Sequence, residues 1–173
     1  YRRLGDPQKA LETYQQARKL LASDPNAAAA LYTLHNVGVV EALDFRNLEG
    51  ALKTFTEAIG IAAKSGSKRE LTLERLFRGE TLLLMGRGAA AKADFEAALA
   101  DARALNLVDE LWTALYGMGR ALALDGDHDG ARKSFQEAVG VIESARAKLG
   151  KTTLKAEFLA EKRDVYDALI GEL

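Results

Sequence analysis

The 173-residue chain contains no cysteine. Disulfides, thiolate chemistry and cysteine-ligated zinc are therefore excluded together. Only two prolines occur, and Ala, Leu, Glu, Lys and Arg dominate the rest, so an almost entirely helical protein is predicted. Charge of one sign is lacking too: the formal net charge is −1, which offers no basic field to nucleic acid or to an anionic membrane. Long apolar runs are missing, and "LLLM" at 82–85 falls far short of a membrane span. The two histidines, His35 and His128, are far apart in sequence. That leaves too few parts for a histidine-ligated metal site or a Ser-His-Asp arrangement. No cofactor, no metal and no enzymatic activity are expected. The chain opens on Tyr1 with no signal-like segment, so we expect a piece of a longer protein in the cytoplasm.

What is present is a repeat. "GDPQKALETYQQARKL" (5–20), "LEGALKTFTEAIGIA" (48–62), "GRGAAAKADFEAALADA" (86–102) and "GDHDGARKSFQEAVGVI" (126–142) share one skeleton. A first alanine falls at Ala10, Ala51, Ala91 and Ala131, at intervals of 41, 40 and 40 residues. An aromatic follows at Tyr14, Phe55, Phe95 and Phe135, and a second alanine at Ala17, Ala58, Ala98 and Ala138. Upstream of the last three, Gly38, Gly79 and Gly119 interrupt helical patterns, where glycine costs about 1 kcal/mol relative to alanine. A neighbouring helix packing too closely for any side chain would explain that cost.

Each unit then reads as two antiparallel helices joined by a short turn. The first carries the close-packing glycine. The second carries Ala-x-x-x-aromatic-x-x-Ala, one face at i, i+4 and i+7. No unit can cover its own apolar face, so the units must stack into a solenoid. A partial first unit is expected at 1–25, followed by units at 27–66, 68–106 and 108–149. The remainder, 150–173, reads as a capping helix of about five turns whose apolar face is Leu154, Phe158, Leu159, Val165, Tyr166, Leu169 and Ile170.

Two motifs compete with this reading. Asp125, Asp127, Asp129 and Gly130 open like a calcium-binding loop, but the bidentate glutamate required at its twelfth position is Gln136. Gly126-Asp127 also falls in register with Gly5-Asp6, which makes it an inter-helix turn with Asp127 or Asp129 at a helix N-terminus. "YGMGRAL" (116–122) begins like a dinucleotide fingerprint, but Leu122 stands where the third glycine belongs, and the segment reads as helix. "ELTLERLFRGETLLLMG" (70–86) has apolar residues around most of its helix. Two explanations stay open: apolar surface facing a groove, or deep burial between repeats.

The in-register glycine, the Gly-Asp turn and the Ala…Phe/Tyr…Ala face resemble the tetratricopeptide repeat (TPR) over residues 1–149. The period near 40, rather than the common 34, implies longer helices. The resemblance implies an all-α, right-handed α-α superhelix whose concave groove, lined by the first helix of each unit, holds a peptide or protein partner. Carried over by register, the groove positions are Tyr32, His35 and Val39; Leu73, Leu76, Glu80 and Leu83; and Thr113, Tyr116 and Arg120. Arg120 is the one strong candidate for clamping a terminal carboxylate, so that mode is disfavoured, and Arg120 is expected to pair with Glu80. The run Ile142, Glu143, Arg146, Phe158-Leu159-Ala160, Arg163, Tyr166 and Leu169 is similar to the segment joining such arrays to the caspase-like peptidase domain of bacterial CHAT proteins. That similarity implies a regulatory or sensor arm, with the catalytic residues elsewhere in the parent. The alternatives are a ligand- or partner-sensing repeat domain of a bacterial signalling ATPase or transcription regulator, and a free-standing adaptor. The missing half of the first unit leads us to expect self-association or fraying at that end.

Overall fold

The computed structural model describes residues 1–21, 27–148, 160 and 162–172. After a 3-10 turn at Arg2–Leu4, the helices are α1 (Pro7–Leu21), α2 (Ala27–Val39), α3 (Leu48–Ser65), α4 (Lys68–Leu84), α5 (Gly88–Leu105), α6 (Val108–Leu124), α7 (His128–Ala147) and α8 (Arg163–Gly171). The described residues form no strand. Each helix packs on its neighbour in sequence, and α4 also touches α2 and α6, so first helices stand beside first helices. The chain is an all-α helical-repeat superhelix.

The recurring alanines and aromatics build its core. Ala51, Ala58, Ala91, Ala98, Ala131 and Ala138 are fully buried, and Phe55, Phe95 and Phe135 are at most 2% exposed. Burying one such ring contributes about 1.5–3 kcal/mol. The in-helix glycines have a specific partner: a Cβ on Gly38, Gly79 or Gly119 would lie 2.5, 2.8 or 2.3 Å from the ring of Phe55, Phe95 or Phe135. What excludes a side chain there is the aromatic ring of the following helix. Gly117 repeats the device between units, since its Cβ would lie 2.3 Å from Phe95. In α1 the same face is less covered: Ala10 is buried, but Tyr14 and Ala17 are only half-buried.

Turn chemistry follows the glycine pattern. Gly86 and Gly126 take φ values of +71° and +82° between paired helices, where a side chain would be strained. Asp6 and Asp127 accept hydrogen bonds from the backbone N–H groups of Lys9 and Gly130, both at 2.9 Å, and so cap α1 and α7. The Asp-rich stretch is thus a helix start, with Gln136 inside α7 and Asp129 paired to Arg132. Unit two has no turn glycine, and its spacing from Gly38 to Ala51 is one residue longer than that from Gly79 to Ala91 or Gly119 to Ala131. A π turn at Val40–Asp44 absorbs the extra residue, and Arg46 takes the left-handed conformation at φ +53°.

Of the expected capping helix, the structure describes α8; Leu154, Phe158 and Leu159 lie outside the described residues. Val165 is buried against Leu115, Ala138 and Ile142, with Trp112, Tyr116 and Tyr166 packed around it. Ile170, expected on the same face, is instead 66% exposed. The inward stripe runs through Val165 and Leu169, and Ile170 sits about 100° further round the helix. The Tyr166 hydroxyl donates to Glu143 Oε1 at 2.6 Å. Burial first, then this hydrogen bond, pushes the Tyr166 phenol up to about 12, while the same bond is the main cause lowering Glu143. Because the folded pKa is raised above the unfolded value of 10.0, this contribution to α8 docking is complete below pH 10 and is lost as the pH rises towards 12. Lys162 lies 5.5 Å from the Trp112 ring, so Trp112 fluorescence reports the release. Wild-type protein is expected to show an alkaline transition between pH 10 and 12 that Tyr166→Phe lacks.

Candidate binding groove

The first helices α2, α4 and α6 present one continuous face, and hollows open where successive helices meet. The hollow between α2 and α4 has a volume of about 240 Å³. Tyr32 and His35 line one side, and Leu73 and Glu74 the other. The next, between α4 and α6, measures about 280 Å³ and has Leu73, Leu76 and Phe77 as its apolar wall, with Glu80, Asp109, Glu110 and Thr113 around it. Leu73 therefore separates the two. A third hollow, of about 470 Å³, lies beside α8 and is bordered by Leu83 and Arg120 together with Phe135 and Glu172.

Eight of the ten residues assigned to a groove by register thus border these hollows. Val39 and Tyr116 do not. Val39 packs against the cluster of Ala42, Ala51 and Phe55. Tyr116 packs its ring 5.8 Å from Phe135 in the cluster that receives α8. Leu76 is present only as floor, because it is almost fully buried. The apolar circumference of α4 divides the same way: Leu76 and Leu82 are buried between repeats, Phe77 packs 5.7 Å from Phe55, and Leu73 faces the hollows. Both explanations left open by the sequence apply, at different positions of one helix.

Arg120 is not available as a carboxylate clamp. Its guanidinium donates to both oxygens of Glu80 at 2.6 and 2.8 Å and lies 5.4 Å from the Tyr116 ring centroid. The Tyr116 hydroxyl is pushed up, chiefly by burial; the Arg120 charge opposes this, and Asp164, Glu80 and Asp167 reinforce it. Ionisation of Tyr116 is thereby disfavoured beside an ion pair that is already closed.

Register missed other residues of these two hollows. Phe77, Asp109 and Glu110 line the second, and Ala28, Leu31, Ser67, Glu70 and Glu74 line the first. Glu74 is 2% exposed, with His35 Nδ1 3.0 Å from its Oε1 and no hydrogen-bond partner for Oε2 among the described residues. His35 is held in turn by Phe77, whose ring meets it edge-on at 4.6 Å. Because Glu74 aligns with the buried Thr33 and Ala114, repeat register predicts no carboxylate at that position. The two hollows between first helices are bordered by Glu70, Glu74, Glu80, Asp109 and Glu110, and by no lysine or arginine. Among the described residues no cluster of three or more metal-ligating side chains forms, and no helix is long and apolar enough to cross a membrane.

This architecture defines a class, the TPR-like helical-repeat superhelix, and solved structures of that class are similar to the chain. BtubC from P. vanneervenii matches with a TM-score of 0.77 at 14% identity, over 99% of this chain and 69% of that one. A Podosopora anserina kinesin light chain with nearly identical TPR-like repeats matches at 0.70 and 13%, over 99% and 88%. MamA matches at 0.63 and 19%, over 99% and 89%. At these identities the likeness establishes the fold alone. No protein-family sequence model matches the chain, and no curated protein matches it in sequence.

Proposed function

We propose that this protein is a non-catalytic interaction scaffold that holds a segment of a partner protein along the face of α2, α4 and α6. The observation that carries the reading is the pair of adjoining, apolar-floored hollows that share Leu73. Adjacent hollows between parallel helices suit an extended or helical segment that places successive side chains in successive hollows. On this reading the units over 1–149 bind, and 150–173 cap the stack. The likeness of the run from Ile142 to Leu169 to CHAT-associated arrays favours a regulatory arm in a larger bacterial protein. A His- and Cys-bearing peptidase domain encoded in the same reading frame would support that placement, and its absence would remove it.

The test is selection of random 12-residue peptides on the purified chain, followed by affinity measurement on synthetic copies. Replacing Leu73, half-buried and shared by both hollows, with alanine is expected to weaken the selected peptides about tenfold or more, the worth of one well-buried aliphatic contact. Lys133→Ala, exposed on α7, is expected to change nothing. Peptides indifferent to Leu73→Ala would bind elsewhere and refute the groove.

A further inference from the structure

We propose that the hollow between α2 and α4 recognises a basic side chain of the bound segment, with Glu74 as its buried anion and Glu70 at its rim. The inference rests on the groove reading and adds to it the chemistry of one position of the partner.

Three features of the hollow combine. Glu74 is a carboxylate removed from water, with its Oε2 unpartnered among the described residues. A buried acceptor left unmet destabilises the fold, so it stays only where something else meets it or where its cost is tolerated for a role. Helix packing does not require the carboxylate, because the same register position is filled by Thr33 in α2 and by Ala114 in α6, both buried. Surrounding electrostatics point the same way. Arg69 donates to Glu110 at 3.4 Å and Arg120 closes on Glu80, but Glu70 makes no ion pair among the described residues, and neither lysine nor arginine lines the hollow. The local excess of negative charge stands out in a chain that is nearly neutral as a whole.

The third feature is apolar. Tyr32 stands 67% exposed at the edge of the hollow, across from Leu73. A lysine or arginine combines an aliphatic stem with a cationic tip. Its stem fits along Leu73 and Leu31, which also lines the hollow, its charge lies within reach of the Tyr32 ring face, and its donors supply what Glu74 Oε2 lacks. An acidic or purely aliphatic residue meets only part of this set.

Peptides selected on the purified 173-residue chain provide the probe. Lysine or arginine is expected to recur at one position of the selected peptides. Replacing that residue with norleucine is expected to weaken binding about tenfold or more, the usual worth of a charge-assisted hydrogen bond in a desolvated site. On Glu74→Gln most of the difference between the basic and norleucine peptides should vanish, leaving only the smaller share that Glu70 supplies. That substitution keeps the size of the side chain and retains a group that pairs with His35 Nδ1 in either tautomer, and circular dichroism checks the fold. Glu70→Gln, at an exposed position, is expected to reduce the same preference by a smaller factor and more at low salt. Peptides that lose affinity on Leu73→Ala yet show no basic preference would overturn this proposal and leave the groove standing. Basic peptides whose preference survives Glu74→Gln undiminished would overturn it as well. Failure to select any peptide, or indifference to Leu73→Ala, would remove the groove reading and this inference with it.

Discussion

Replacing Phe95 with alanine is expected to lower the unfolding free energy by about 3–5 kcal/mol, among the largest effects available to a single substitution here. The ring is fully buried at the centre of the described array, between Gly79 of its own unit and Gly117 of the next. Two glycines give the neighbours no side chains with which to collapse into the space, so the cavity term is retained in full. The same geometry makes the reverse substitution costly. Gly117→Ala would place its Cβ 2.3 Å from the ring, so it should destabilise wild-type protein although alanine is the better helix former. In the Phe95→Ala background the alanine should become neutral or stabilising. Urea unfolding followed by far-ultraviolet circular dichroism, performed as a double-mutant cycle, reads both effects. A Phe95→Ala loss below about 1 kcal/mol would show that the ring does not hold the two units together.

The second large effect is expected at Asp94, which sits at 5% exposure on α5 and accepts from Arg78 Nε and Nη2 at 2.7 and 2.6 Å. Arg78 also donates to Thr56 Oγ1 at 3.3 Å, so one guanidinium ties α3, α4 and α5 across two units. Its proton is held more firmly than usual, first by its hydrogen bonding to Asp94. Asp94→Ala strands that cation in a half-buried position, at a cost of about 2–3 kcal/mol, discounted from the fully buried case because Arg78 keeps some solvent. Arg78→Met combined with Asp94→Ala is expected to be more stable than Asp94→Ala alone, since the apolar side chain leaves no stranded charge. If the double variant were the less stable, the pair would be contributing by packing rather than by charge compensation.

The repeat, its period and the pairing of helices were legible because they depend on local patterns: alanine and aromatic at i, i+4 and i+7, and an in-helix glycine upstream of the last three aromatics. The glycine argument was correct in kind and incomplete in partner. Gly38, Gly79 and Gly119 do mark close approach, but to the following helix's aromatic ring, and Gly117 serves the same purpose from the next unit. The one-residue excess in unit two was visible as a number, whereas its absorption by a π turn at Val40–Asp44 was not. The groove residues were legible only as far as register carries. Leu73 and Thr113 border the hollows as equivalents should, whereas Tyr116 turned inward onto Phe135 because α8 brings a further apolar layer against it. Ile170 failed for a related reason, since the stripe that meets the core is set by the docking angle of α8.

The sequence by itself determined the helical class, the stacking of like units, a helix start at Asp127 or Asp129 and the burial of the recurring phenylalanines, because each follows from spacing within one unit or from its recurrence at intervals of 40 or 41 residues. Repeat register anticipated one polar pair, Arg120 with Glu80, and only the tertiary structure decided the others. Glu74 finds His35 across 39 residues, and Tyr166 finds Glu143 across 23. Such pairs depend on the rotation of one helix against its neighbour, a quantity set by how the side chains of both helices fill the space between them. That rotation is also what leaves Glu74 half-satisfied in a hollow without a basic residue, the feature from which the partner's chemistry is inferred.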